Sequence, residues 1–315
     1  MVNQTSVTEF ILLGFSDIRE LQILHFVLFL SLYLAALMGN FLIIVTITRI
    51  QHLHTPMYFF LAFLSSIDAC YISTTVPKSM VNSLINVNVI SFSGCVTQVF
   101  LVVTFAGAEL SFLTVMAYDR YVAICHPLQY MLIMNWNACL QMAAASLLSS
   151  VLNGVIHTVN TFRLHFCQSN VIEQYFCDIP QLYRISCTNT EASERFTLAS
   201  VFCVGLFCFS LVLVSYSYIF SAVFKIQSAQ GRYKAFSTCI PHLTIFSLFV
   251  FTVMLAYMRP KALSSPSLDL LAAVLYAVLP PLMNPIIYSL RNKEIQGALR
   301  KCLRKNRNEF CLVTS

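Results

Sequence analysis

The 315-residue sequence is poor in charge: only 10% of its residues are Asp, Glu, Lys or Arg, against about 25% in soluble domains. A water-facing globule is thereby excluded. Its 12 cysteines are too sparse for a disulfide mini-scaffold of this length, and 26 Phe with 14 Tyr are too many for a disordered chain. No strict alternation of apolar and polar residues marks a barrel strand. Internal repeats, low-complexity linkers and paired interrupted spans are missing, which counts against a transporter. Neither HExxH nor GxSxG occurs, so the motif chemistry of an intramembrane hydrolase is missing. His52, His54, His126, His157, His165 and His242 show no metal-ligand spacing and are expected to be structural.

What is present is apolar length. Hydrophobic residues make up 58% of the chain and the mean hydropathy is +0.75. A bilayer core of about 30 Å needs roughly 20 apolar residues at about 1.5 Å each. Seven stretches qualify: 24–47, 57–80, 96–118, 138–160, 197–222, 235–258 and 268–290. The expected fold class is an all-α membrane protein, a seven-transmembrane helix bundle. Residues 1–23 form its outer segment, 24–290 the bundle and 291–315 a cytoplasmic tail.

Basic residues set the expected orientation. With the N-terminus outside, twelve Lys and Arg fall on the cytoplasmic side against Asp119, Glu294 and Glu309. Seven fall outside, offset by eight acids. The formal charge of +6 is therefore a topology and membrane-lipid signal, and nucleic acid is not implied. No cleavable signal peptide is recognised, so the first span is expected to act as signal anchor. The one N-x-S/T sequon, at Asn3, lies on the outer side as a glycosylation candidate. In the tail, Ile295, Leu299, Cys302 and Leu303 recur at helical spacing among basic residues, as in a short amphipathic helix on the inner leaflet. Cys302 is an acylation candidate there. Ser237 and Thr238 are candidates for phosphorylation on composition alone.

Five blocks then point to one family. They are Gly39-Asn40, LHTPMYFFL at 53–61, the run from Met116 to Tyr130 that contains Asp119-Arg120-Tyr121, KAFSTC at 234–239, and NPIIYSLRNK at 284–293. In order and spacing they resemble the olfactory receptors of the rhodopsin-like G protein-coupled superfamily. Leu-Leu-Gly-Phe at 12–15 and the KAFSTC form look like the tetrapod-type class. The sequence departs from that pattern at Leu147, where Trp is usual, at Phe249-Val250-Phe251, and at Pro241.

The resemblance implies a receptor for a small volatile odorant, signalling through a stimulatory heterotrimeric G protein and cAMP from the plasma membrane of sensory cilia. No enzyme activity and no obligatory cofactor are expected. It further implies a Cys95–Cys177 disulfide, which leaves Cys167 with Cys187; the residues alone permit three pairings of these four. Arg120 is implied to leave Asp119 on activation and meet the G protein, with Tyr216 and Tyr288 approaching it. Pro285, beside Asn284, frees a carbonyl one turn back and loosens the helix for such a switch.

Asp68 and Glu109 lie roughly 16–18 Å from the cytoplasmic ends of their helices by rise per residue. Two carboxylates at one depth in a low-dielectric bundle cannot both ionise cheaply. Either one keeps a proton, or a cation bridges them. The superfamily resemblance suggests Na+ as an allosteric ion, with Asn40 and Asn284 as polar neighbours. An ion or proton transporter using this pair is the alternative function.

For the ligand, the seventh span has no Lys for retinal, and Val96–Ala108 of the third has no acid for an amine. A neutral or weakly polar molecule is expected. Counting from the motifs puts Val102, Val103 and Ala106 of the third helix, Ser200, Val201 and Val204 of the fifth, and Val253, Met254 and Tyr257 of the sixth around one pocket. Its wall would be apolar with two hydroxyls, and the Tyr257 hydroxyl, near the outer end, is expected to orient the ligand through one hydrogen bond.

Overall fold

The computed structural model describes residues 7–13, 18–85, 87–167, 170–257, 265–291 and 296–297. The sequon at Asn3, the amphipathic tail helix and Cys302 lie outside the described residues. Seven helices are long and apolar enough to cross a membrane: α1 (Arg19–Arg49), α2 (Pro56–Ile85), α3 (Phe92–Cys125), α5 (Trp136–Phe162), α7 (Glu191–Phe224), α8 (Ala229–Tyr257) and α9 (Pro266–Arg291). Two short helices join them, α4 (Tyr130–Ile133) and α6 (Ile179–Arg184). The spans run past the apolar windows at most ends; α1 begins at Arg19, whose guanidinium donates to the Ser83 and Leu84 carbonyls at 3.1 and 2.8 Å. Polar turns thus extend helices that hydropathy alone makes shorter.

Local chemistry explains several boundaries. Ser91 caps α3, its Oγ accepting from the Gly94 N–H at 3.1 Å, and Asn135 caps α5 through the Ala138 N–H at 3.0 Å. Helix α3 is the axis of the bundle, packing on α2, α5, α7 and α8. It approaches α5 closely because Gly154 has no side chain: a Cβ there would sit 3.2 Å from the Phe100 carbonyl and collide with Thr104. Outward-facing Phe41, Leu148, Phe202 and Phe207 remain exposed, as suits a surface whose solvent is lipid. Inward, Leu64, Phe112, Met116 and Tyr216 belong to one large buried cluster in the half that ends at Arg120.

At the opposite end lies a feature that helix periodicity misses. Strand β1 (Glu9–Leu12) pairs antiparallel with β2 (Val89–Ser91) and parallel with β3 (Val171–Ile172). Phe10 and Leu12 are fully buried beneath it, with Ile172, Cys177 and Leu182. Strands of two to four residues are too short to show a period of two, so the N-terminal segment read simply as an outer extension. The loop between α5 and α7 is fastened here by disulfides Cys95–Cys177 and Cys167–Cys187, the pairing that the resemblance implied. Gln98 reinforces it, accepting from the Cys177 N–H at 2.8 Å and donating to the Thr74 carbonyl at 2.9 Å.

Candidate functional site

Three polar constellations line up between the sheet end and the Arg120 end of the bundle. The middle one joins the two carboxylates. Asp68 and Glu109 are fully buried, and the Asn284 Nδ2 donates to both, at 2.9 Å to Asp68 Oδ2 and 3.1 Å to Glu109 Oε1. Equal depth, read from helix rise, thus becomes one shared donor. Among the described residues Asp68 Oδ1, Glu109 Oε2 and Asn284 Oδ1 have no hydrogen-bond partner, leaving three oxygens of the kind a hard cation uses. Asn40 stands apart from this bridge: its Nδ2 donates to the Pro281 carbonyl at 2.9 Å. That carbonyl is the one Pro285 leaves without an N–H, four residues on. Gly39 lies against the same proline, where an added Cβ would be 3.0 Å from the ring.

At the Arg120 end, the guanidinium Nε donates to Asp119 Oδ2 at 3.0 Å, and its Nη2 bonds the same oxygen. The other oxygen, Oδ1, accepts from the Tyr130 hydroxyl at 2.7 Å. Tyr130 is a member of this latch that the sequence analysis passed over, although the matched block ends on it. Tyr121 lies aside, its hydroxyl 3.1 Å from His126 Nε2. The Tyr216 hydroxyl is 2.9 Å from His242 Nδ1, and His242 Nε2 is 2.8 Å from the Leu113 carbonyl. Both ring nitrogens of His242 are therefore engaged, the structural role expected of it. The Tyr288 hydroxyl is buried without a partner.

Towards the sheet end is a cavity of about 110 Å³. Val102, Val103, Ala106, Ser200, Val201, Val204, Val253 and Tyr257 all line it. Met254 does not. It is 51% exposed on the outer face of α8, because one residue turns a helix by about 100°. Phe249, one turn before Val253, takes its place. Two polar contacts lie at this cavity. His157, expected to be structural, bonds within the bundle, its Nε2 3.1 Å from Ser200 Oγ, and it also lines the cavity with Asn153. The Tyr257 hydroxyl, expected to bond the ligand, donates to Asp178 Oδ1 at 3.3 Å.

A model of the olfactory receptor family matches residues 29–306. The chain belongs to the olfactory receptor family. The receptor is 51% identical to human olfactory receptor 14C36 over 305 residues, covering 97% of this chain and 98% of that one. It is 54% identical to human olfactory receptor 14I1 over 299 residues, covering 95% and 96%. Squid rhodopsin shares the fold with a TM-score of 0.67 at 16% identity, over 92% of this receptor and 87% of that chain. The protein is thus a multi-pass membrane receptor with the rhodopsin-like seven-helix fold, and a signalling protein in place of an enzyme. Neither the family nor the geometry supports the transporter alternative.

Proposed function

We propose that the receptor takes a small, neutral or weakly polar odorant in the cavity between α3, α5, α7 and α8. The observation that carries this reading is the lining itself. Seven valine, alanine and leucine side chains of α3, α7 and α8, Val102, Val103, Ala106, Leu110, Val201, Val204 and Val253, are joined by a convergent polar set, Asn153, His157 and Ser200. Burial of apolar surface supplies affinity at about 25 cal/mol per Å², and one hydrogen bond sets orientation. A ligand bound more tightly by one arrangement of α8 shifts the population toward it. The sheet end then faces outside and the Arg120 end the cytoplasm, where opening of the Asp119–Arg120–Tyr130 latch presents Arg120 to a stimulatory G protein. Na+ held by Asp68, Glu109 and Asn284 would oppose that shift as an allosteric ion.

A cAMP reporter screened with a varied panel of volatile compounds tests the reading. At matched surface expression, Val103→Phe should fill the cavity and weaken bulky agonists at least tenfold, near 1.4 kcal/mol. His157→Leu should selectively weaken agonists that carry oxygen. Unchanged potency of every agonist in both variants would place the ligand elsewhere.

A further inference from the structure

A second cavity, of about 230 Å³, adjoins the first, and the two share Ile179, Thr197, Tyr257 and Tyr276 as a common wall. Its charged lining is Asp178, Glu194, Asp269 and Arg184. The only base in that set is committed, since Arg184 Nη1 lies 2.8 Å from Asp269 Oδ2. Asp178 is 6% exposed, and among the described residues no Lys, Arg or His forms an ion pair with it. A carboxylate buried without a cation is costly, and the donors that meet it, the Tyr257 and Tyr276 hydroxyls and the Ile179 N–H, bring no charge.

An independent observation comes from Gln174, which lines the same cavity and is 2% exposed. Its Nε2 donates to the Asp269 carbonyl at 2.9 Å, which fixes the amide orientation. Its Oε1 is buried with no partner among the described residues. A buried carboxylate without an ion pair among the described residues and an unused amide acceptor thus line one half-open cavity. The rings of Tyr257 and Tyr276, with centroids 5.9 Å apart, wall it on the side of the inner cavity.

We propose that this upper cavity is a recognition site for a small primary alkylammonium, with the Asp178 carboxylate as counter-ion and Gln174 Oε1 as second acceptor. An ammonium group brings a positive charge and three N–H donors. Its positive face also suits tyrosine rings. Hydroxyl-bearing or neutral ligands bring donors without charge and leave Asp178 unpaired. The first half of α3 offers no acid to an amine in the inner cavity, whereas here the acid comes from the loop. The site is distinct from the proposed odorant cavity, and its test does not depend on signalling.

The experiment measures thermal unfolding of the purified, detergent-solubilised receptor at pH 7.4 with three probes of equal chain length: n-hexylamine, n-hexanol and N-hexylacetamide. Hexylamine is expected to raise the midpoint in a saturable manner beyond either neutral probe. Asp178→Asn should abolish that increment and leave the response to hexanol unchanged, and Gln174→Leu should weaken the amine at least several-fold. An amine response no greater than that of the neutral probes, in the wild type alone, overturns the proposal. So does full retention of the amine increment in Asp178→Asn.

Discussion

Asp178→Asn should make the receptor more heat-stable at neutral pH, although it removes a buried hydrogen-bonding group. Burial pushes the Asp178 carboxyl from the usual 3.8 up to about 6, and the Tyr276 and Tyr257 hydroxyls and the Ile179 N–H pull it only part of the way back. The folded chain therefore holds a proton at a pH where the unfolded chain has lost it. Because ν is larger in the folded state, stability falls as pH rises from about 4 to about 6, and the full deficit persists above that. A difference of roughly two units at about 1.36 kcal/mol each is on the order of 3 kcal/mol. The groups facing Asp178 are Tyr71 of α2, Tyr175 of the loop, Tyr257 of α8 and Tyr276 of α9, and ordinary tyrosines do not ionise in this range. Asparagine keeps the shape and an acceptor for Tyr257 and carries no charge. Midpoints of thermal unfolding measured from pH 4.5 to 8 should converge for the two proteins at the acid end. They should separate in favour of Asp178→Asn by several degrees at pH 7.4. Parallel profiles, or a wild type that is the more stable at pH 7.4, would refute this account of the buried charge.

Gly39→Val should lower stability by about 1–3 kcal/mol, since even a Cβ meets the Pro285 ring at 3.0 Å; Asn40→Leu should cost a similar amount by orphaning the Pro281 carbonyl. Detergent thermal shift reads both, and two neutral outcomes would dissolve the proposed packing of α1 on α9. Tyr130→Phe removes one of the Asp119 partners and should raise ligand-independent cAMP, whereas Arg120→Ala should abolish evoked cAMP in cells that still display the receptor. A silent Tyr130→Phe beside a signalling Arg120→Ala would contradict the latch. Glu109→Gln and Asp68→Asn each replace one of the two carboxylates that share the Asn284 amide by a neutral amide, so each should alter basal signalling or its sodium dependence. Wild-type responses of both across sodium concentrations would leave the pair a structural bridge only.

Much of this receptor was legible without coordinates because a bilayer makes the governing variable one-dimensional. Apolar run length locates seven helices, and a constant rise per residue puts Asp68 and Glu109 at one depth. Proline chemistry names the carbonyl that Pro285 strands. Each of these follows from position along a single helix. Tertiary structure decided whatever depends on rotation between helices or on the path of a loop. It chose Asn40 as the donor to Pro281, turned Met254 outward beside inward-facing Val253, and aimed His157 of α5 at the cavity. It also laid β1 against β2 and β3, and carried Asp178 to the hydroxyl of Tyr257, 79 residues away. The physical reason is that helix length and depth come from backbone geometry and hydropathy, both local. The angular facing of seven packed cylinders, and the fold of a disulfide-fastened loop over them, are set by contacts between residues far apart in the chain, which no period in the sequence records.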